Sequence, residues 1–349
     1  MFNTSWSLAP DSRQAAAQLV RRQPNVQGAR WGLLFASGFH EAQGLFSDVQ
    51  RRLGSLPLIG GSCCGIITPS GVEYGGFEAM LLLFDSEPQF NVFKQSELGQ
   101  VADWQGEDFA LCFFDHLAGW PATALEPLRH CTLMGASLLG NFNRQSSFLF
   151  CGDRVANDCL VAVKIPQPTQ SAVSHGSVPI SEPLTVTQAD GQWVQRLDDK
   201  PALEVISQIT GLDEAELRGA FLRHLSLGQP WQEHFSSHLI AEANAEDKSL
   251  RMATGYFPPG QQAVLMSRSA DSTFVDVEQQ LGGFIPNKPS FYINCAGRTG
   301  AFSGALQEEA DLVRQYLGKD VAGIFSGAEL ASQGGESRLI NWSGVLLQW

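Results

Sequence analysis

Leu56-Pro-Leu-Ile-Gly-Gly-Ser-Cys-Cys-Gly65 and Thr132-Leu-Met-Gly-Ala-Ser-Leu-Leu-Gly140 decide the fold. In each, a short apolar run reads as a strand that enters a glycine-rich turn. Gly60, Ser62 and Gly65 fall on Gly135, Ser137 and Gly140 at one constant offset. The flanks agree. Apolar runs at 31–37 and 109–114 read as strands buried on both faces. After the first, Ala42, Leu45, Phe46, Val49 and Leu53 have helical spacing and Gly54 is a stop. After the second, Pro121 opens a short helix to 128. Apolar strands at 77–84 and 158–165 close the two segments. The order strand, helix, strand, glycine turn, strand therefore occurs twice, which indicates duplication.

The end of the chain returns to the same order. A strand at 290–295 is followed by a helix capped by Ser303, with Leu306, Ala310, Val313 and Leu317 inward. A strand at 321–325 enters Ser326-Gly-Ala-Glu329, and 339–347 closes. Elsewhere, a helix spans 11–22 with Asp11 or Ser12 as cap. Pro166, Pro168, Pro179 and Pro183 mark 166–200 as a connection with a short strand at 184–188. Asp199 caps a helix with Leu203, Ile206 and Ile209 inward, and residues 250–285 hold strands and turns. The expected fold is α/β: mixed β-sheets with helical crossovers, built from repeated units, in two domains.

Composition narrows the function. Of 349 residues, 44% are hydrophobic and 17% charged, ample for a packed core. The net charge of −13 opposes binding a phosphate backbone, so nucleic acid is excluded as a whole-chain partner. No apolar run approaches the ~18 residues of a membrane span. The start lacks the basic and apolar regions of a secretory signal. The seven cysteines include no C-x-x-C and sit in or beside apolar runs, as buried reduced thiols of a cytoplasmic protein do.

Common catalytic signatures are missing: no phosphate loop, no G-x-G-x-x-G after a strand, no H-E-x-x-H. Gly60-Gly-Ser-Cys-Cys64 fails as a nucleophile elbow, because Cys64 replaces the last glycine. The glycines at the strand ends serve either close strand packing or a ligand approached by free amides. Cys63 and Cys64, adjacent on a strand, face opposite ways and do not share a metal. His234 and His238 have helical spacing but no placed carboxylate partner, so no metal site is assigned. Arg298 follows a strand directly, beside Gly297. Its forked donor suits a carboxylate or phosphate. The alternative is a structural ion pair with Glu308, Glu309 or Glu329.

These stretches resemble the FIST-domain family. Phe291-Tyr-Ile-Asn-Cys-Ala-Gly-Arg298 is similar to the family's strand ending in C-x-G-R, Glu308-Glu309 to its acidic helix position, and Gly323-Ile-Phe-Ser-Gly-Ala-Glu-Leu330 to its glycine–aromatic–glycine–x–E turn. Leu339-Ile-Asn-Trp-Ser343 resembles its closing Asn-x-Thr strand, and Lys200-Pro-Ala-Leu-Glu204 its C-terminal opening helix. The resemblance implies a lead-in at 1–27, a FIST N-terminal domain at 28–166, a connection at 167–198 and a FIST C-terminal domain at 199–349. The candidate ligand contacts are Gly61, Ser62, Cys63, Ser137, Cys295, Arg298, Glu309, Gly327, Glu329 and Asn341, with no catalytic residue. Arg298 and Glu329 are expected at one edge of one sheet. The resemblance further implies a cytoplasmic sensory protein that binds a small ligand and modulates a separate partner, such as a histidine kinase or cyclic-dinucleotide enzyme. Haem, with a histidine axial ligand and nitric oxide as signal, is the alternative cofactor. A hydrolase using Ser62 or a cysteine is the enzymatic alternative.

Overall fold

The computed structural model describes residues 2–87, 89–94, 109–118, 131–143, 146–166 and 168–349. The helix expected over 121–128 lies outside them. At the centre of the first sheet, Trp31–Ser37 runs parallel to Leu58–Cys63, and every residue of both is buried. Helix Ala42–Leu53 connects them. The Glu41 carboxylate accepts from the amides of Gln43 and Gly44 at its start, and Gly54 ends it in the left-handed conformation. Leu45, Phe46 and Val49 pack on one face of the sheet with Ala15, Ala16 and Leu19 of helix Ser12–Arg21.

Three six-stranded sheets share one strand order. Sheet I is Phe2–Ser7, Ala79–Phe84, Trp31–Ser37, Leu58–Cys63, Leu149–Gly152 and Val155–Ala156. Sheet II is Gln89–Lys94, Cys159–Lys164, Phe109–Asp115, Thr132–Leu138, Ala328–Gln333 and Glu336–Ile340. Sheet III is Gln170–His175, Ser343–Gln348, Ser290–Cys295, Val321–Ser326, Gly65–Thr68 and Gly71–Tyr74. In each, only the central pair is parallel. In each, the last two strands are a hairpin lent by another segment. The 65–74 hairpin follows sheet I's parallel pair but completes sheet III. The 149–156 hairpin follows sheet II's pair but completes sheet I. The 328–340 hairpin follows sheet III's pair but completes sheet II. The sheets meet in one apolar core, where Phe35 of sheet I contacts Phe113 of sheet II and Phe291 of sheet III at 5.3 and 5.8 Å between ring centroids.

The two glycine stretches are strand, not turn. Gly60, Gly135 and Gly323 sit directly opposite Leu34, Cys112 and Tyr292 in the parallel pairs. A Cβ at each would run into the carbonyl oxygen of that partner. Glycine here serves close strand approach rather than chain reversal.

The 166–200 tract, read as a connection, carries strands along much of its length. Gln170–His175 is the edge of sheet III. Leu184–Asp190, Trp193–Leu197, Leu250–Met252, His234–Ala243, Leu225–Trp231 and Gln262–Arg268 close into a barrel, since the last pairs with both the first and the fifth. Val186, Val194, Leu227, Ile240 and Leu265 fill it, and Leu203 and Ile206 of helix Ala202–Thr210 cover it. Pro201, not Asp199, stands at the helix start, because Asp199 sits at φ 62° in the turn before Lys200–Pro201. His234 and His238 lie on a strand, one exposed and one buried, so helical spacing does not join them. The last helix begins at Glu309 rather than Ser303, and Leu306 is fully exposed in the loop before it.

Candidate functional site

A parallel strand pair joined by a crossover leaves both carboxyl ends facing one way, where ligands collect in open α/β sheets. Arg298 lies one short turn past Ser290–Cys295 and is 5% exposed. Its Nη2 forms an ion pair with Glu309 Oε2, and its Nη1 donates to Ser174 Oγ at 2.9 Å. Glu309 Oε1 in turn accepts from Tyr292 Oη at 2.5 Å and Asn294 Nδ2 at 3.0 Å. Arg298 Nε and Asn294 Oδ1 are buried without a protein partner. Glu308, the neighbouring acid, instead accepts from Tyr74 Oη and the Gly300 amide, tying down the 65–74 hairpin.

Arg298 and Glu309 line a cavity of about 180 Å³ between sheet III and the barrel, together with His224, Arg268, Thr273 and Gln307. Arg268 reaches across from the barrel. It donates to the carbonyls of Gly297 (2.9 Å) and Phe302 (3.1 Å), and its guanidinium lies 5.5 Å from the Trp342 ring centroid. Desolvation, then Arg268 and Arg223, push the His224 pKa down. With that imidazole neutral, two guanidiniums face one carboxylate, so the wall is net positive.

A second cavity, of about 200 Å³, opens at the same end of sheet II's parallel pair. Asp115, His116 and Ser137 face Gln192, Arg251 and Thr254 of the barrel across it. His116 Nδ1 is 2.8 Å from Ser137 Oγ, and the ring packs on Gly327, whose amide donates to the Ser137 carbonyl at 2.9 Å. His116 was not among the candidates, yet its position signals it: like Arg298, it follows an apolar strand.

The ten candidates thus part. Ser137 lines the second cavity, with Gly327 hydrogen-bonded to it behind the His116 ring, and Arg298 and Glu309 line the first. Gly61, Ser62, Cys63 and Cys295 are buried and line neither. Ser62 Oγ accepts from the Phe148 amide at 3.2 Å. A Cβ on Gly61 would strike the Phe148 carbonyl. Asn341 docks the barrel, its Oδ1 accepting from the Leu239 amide at 3.0 Å and Thr254 Oγ1 at 2.6 Å. Glu329 does not share a sheet edge with Arg298, because it belongs to the hairpin lent to sheet II. It is fully buried, and Ser326 Oγ and Ser343 Oγ each donate to it at 2.8 Å.

Burial outweighs those hydrogen bonds and the Arg298 charge, and lifts the Glu329 pKa to about 7. The folded state then holds a proton that the unfolded chain releases near pH 4.5. This contribution to stability is present below pH 4.5 and is lost as pH rises to about 7. Glu329→Gln should flatten the fall in stability between those limits, measured by denaturant midpoints across the range. An unchanged slope would rule Glu329 out as its source.

Ser62 is wholly buried, and desolvation pushes the Cys63, Cys112 and Cys295 thiols up, away from thiolate. A haem does not fit the two cavities, which are below the roughly 300–1,000 Å³ of sites for drug-sized ligands and are walled by charged groups. His40 and His238 have both ring nitrogens engaged, whereas His175 Nε2 is buried without a partner, and His130 lies outside the described residues. Among the described residues no cluster of three metal-ligating side chains occurs, and no helix is long and apolar enough to cross a membrane.

The chain is similar to known proteins along most of its length. Two uncharacterised proteins of Mycobacterium tuberculosis, from strains CDC 1551 / Oshkosh and ATCC 25618 / H37Rv, are each 26% identical over 373 aligned positions. These span 95% of this chain and 95% of each relative. The FIST N domain matches residues 30–200 and the FIST C domain residues 202–332. FIST domains are generally sensory, signal-transduction domains. Carrying both in tandem, the chain belongs to the FIST family of sensory, signal-transduction proteins.

Proposed function

We propose that this chain is a cytoplasmic sensor that binds a small anion in the cavity between sheet III and the barrel and so modulates a signalling partner, such as a histidine kinase or a cyclic-dinucleotide enzyme. The observation that carries this reading is Arg298. Its side chain is buried, Glu309 and Ser174 fix its two Nη atoms, and its Nε has no protein acceptor, in the wall of a cavity that Arg268 also lines. Two guanidiniums against one carboxylate suit a single negative charge. A ligand touching both arginines bridges sheet III and the barrel. It signals if it prefers one arrangement of the two over another.

The test is thermal shift and calorimetry on the full chain with small monocarboxylates, dicarboxylates and inorganic phosphate, beside Arg268→Gln. A binding anion should stabilise the wild type by about 2.7 kcal/mol at 100 times its dissociation constant. Arg268→Gln should lose that gain while keeping its own cooperative transition. No stabilisation by any of these anions, or equal stabilisation of both proteins, would overturn the reading.

A further inference from the structure

We infer that Cys151 and Cys159 form a site of covalent oxidation by hydroperoxides, closing to a disulfide that joins sheet I to sheet II. The two sulfurs lie 3.5 Å apart. Cys151 is on the hairpin strand Leu149–Gly152 of sheet I, and Cys159 opens the strand Cys159–Lys164 of sheet II. A disulfide needs about 2.05 Å between sulfurs, so side-chain rotation over about 1.5 Å closes the gap. Both cysteines are buried, yet each adjoins an exposed turn, at Asp153 and Arg154 and at Asn157 and Asp158.

The surroundings divide the roles. The two thiols share a hydrogen bond in which either sulfur can donate, and with Cys151 as the donor that bond and the Arg154 charge lower the Cys159 pKa. Cys159 is therefore the attacking sulfur. Its thiolate takes the terminal oxygen of the peroxide with its hydrogen, the O–O bond breaks, and a sulfenic acid forms as hydroxide or an alkoxide leaves, to be protonated by water. The Cys151 sulfur then attacks the sulfenic sulfur. The S–S bond forms, the S–O bond breaks, and water departs with the Cys151 proton. Two electrons pass from the sulfurs to the peroxide, and a dithiol reductant reverses the change. Cys63, Cys112 and Cys295, pushed toward the neutral thiol by burial, do not compete.

The experiment treats the reduced full chain with hydrogen peroxide, alkylates it in denaturant and maps the peptides by mass. Two of the seven thiols should disappear, joined as a 151–159 cross-link. Cys151→Ser should leave Cys159 trapped by dimedone as sulfenic acid, whereas Cys159→Ser should leave Cys151 unreacted. Should either variant fail to fold, the wild-type peptide map decides alone. Retention of all seven thiols by the native chain, at a dose that oxidises the unfolded chain, would overturn the proposal. So would a cross-link between other cysteines, or dimedone labelling confined to Cys151.

Discussion

Arg298→Ala lowers stability by about 3–5 kcal/mol, because it strands the Glu309 carboxylate in the interior. Glu309 is 2% exposed, and the hydrogen bonds from Tyr292 and Asn294 do not replace a lost positive charge. The Ser174 hydroxyl loses the donor from Arg298 too, keeping only its bond to the Gly344 carbonyl, which loosens the edge strand Gln170–His175 of sheet III. Arg22→Ala is the comparison. Arg22 makes one exposed bond, from Nη1 to the Trp6 carbonyl, and its loss should stay near 0.5 kcal/mol. Denaturant midpoints of the two variants measure the difference, and equal midpoints would show that the Arg298–Glu309 pair contributes nothing to stability. The double variant Arg298→Ala/Glu309→Gln should recover part of the loss, since no unpaired charge remains buried.

Gly135→Ala should cost more than about 4 kcal/mol, in the range of substitutions that prevent folding. Gly135 has φ 152°, and a Cβ there meets the Cys112 carbonyl on the paired strand. Backbone cannot yield as a side chain does, so the central pair of sheet II must separate. Gly191→Ala isolates the conformational part of the cost. At φ 55° it faces open space, and only the left-handed penalty of about 1–2 kcal/mol applies. Soluble yield and unfolding midpoints separate the two, and similar values would show that the strand pair tolerates a methyl group.

The parts of the fold that were legible in the sequence are those whose burial is complete. Trp31–Ser37 and Ser290–Cys295 are buried on both faces because a helix layer covers one side and the shared core the other, and Phe109–Asp115 likewise has one face in the shared core. Helix Ala42–Leu53 carries its stop signal locally, in Gly54. The glycine stretches misled because glycine marks turns by local rules, whereas here a carbonyl on another strand demands it. The first strand, Phe2–Ser7, was missed: its Asn, Thr and Ser suit a sheet edge whose partners are distant in sequence. The barrel was hidden for a similar reason. Its strands are short, and one carries an irregularity between Ile240 and Glu242, beside the second cavity. Arg298 and Glu309 were legible as acid and base around one crossover. Arg268 and Arg251 were not, since only the closure of the barrel brings them to the sheets.

The hairpins exchanged among the three sheets also set the order in which the chain can finish folding. As synthesis proceeds from the N-terminus, sheet I gains its last strands only when 149–156 emerges, and sheet II waits for 328–340. The 65–74 hairpin, made early, has no sheet to join until Ser290–Cys295 and Val321–Ser326 exist. A nascent chain ending near 166 therefore presents the Thr132–Leu138 edge and an orphan hairpin, both open to pairing with other chains. The three sheets lock in a ring, each completed by its predecessor or successor, so the protein should gain its final stability in one late step as residues 321–348 leave the ribosome.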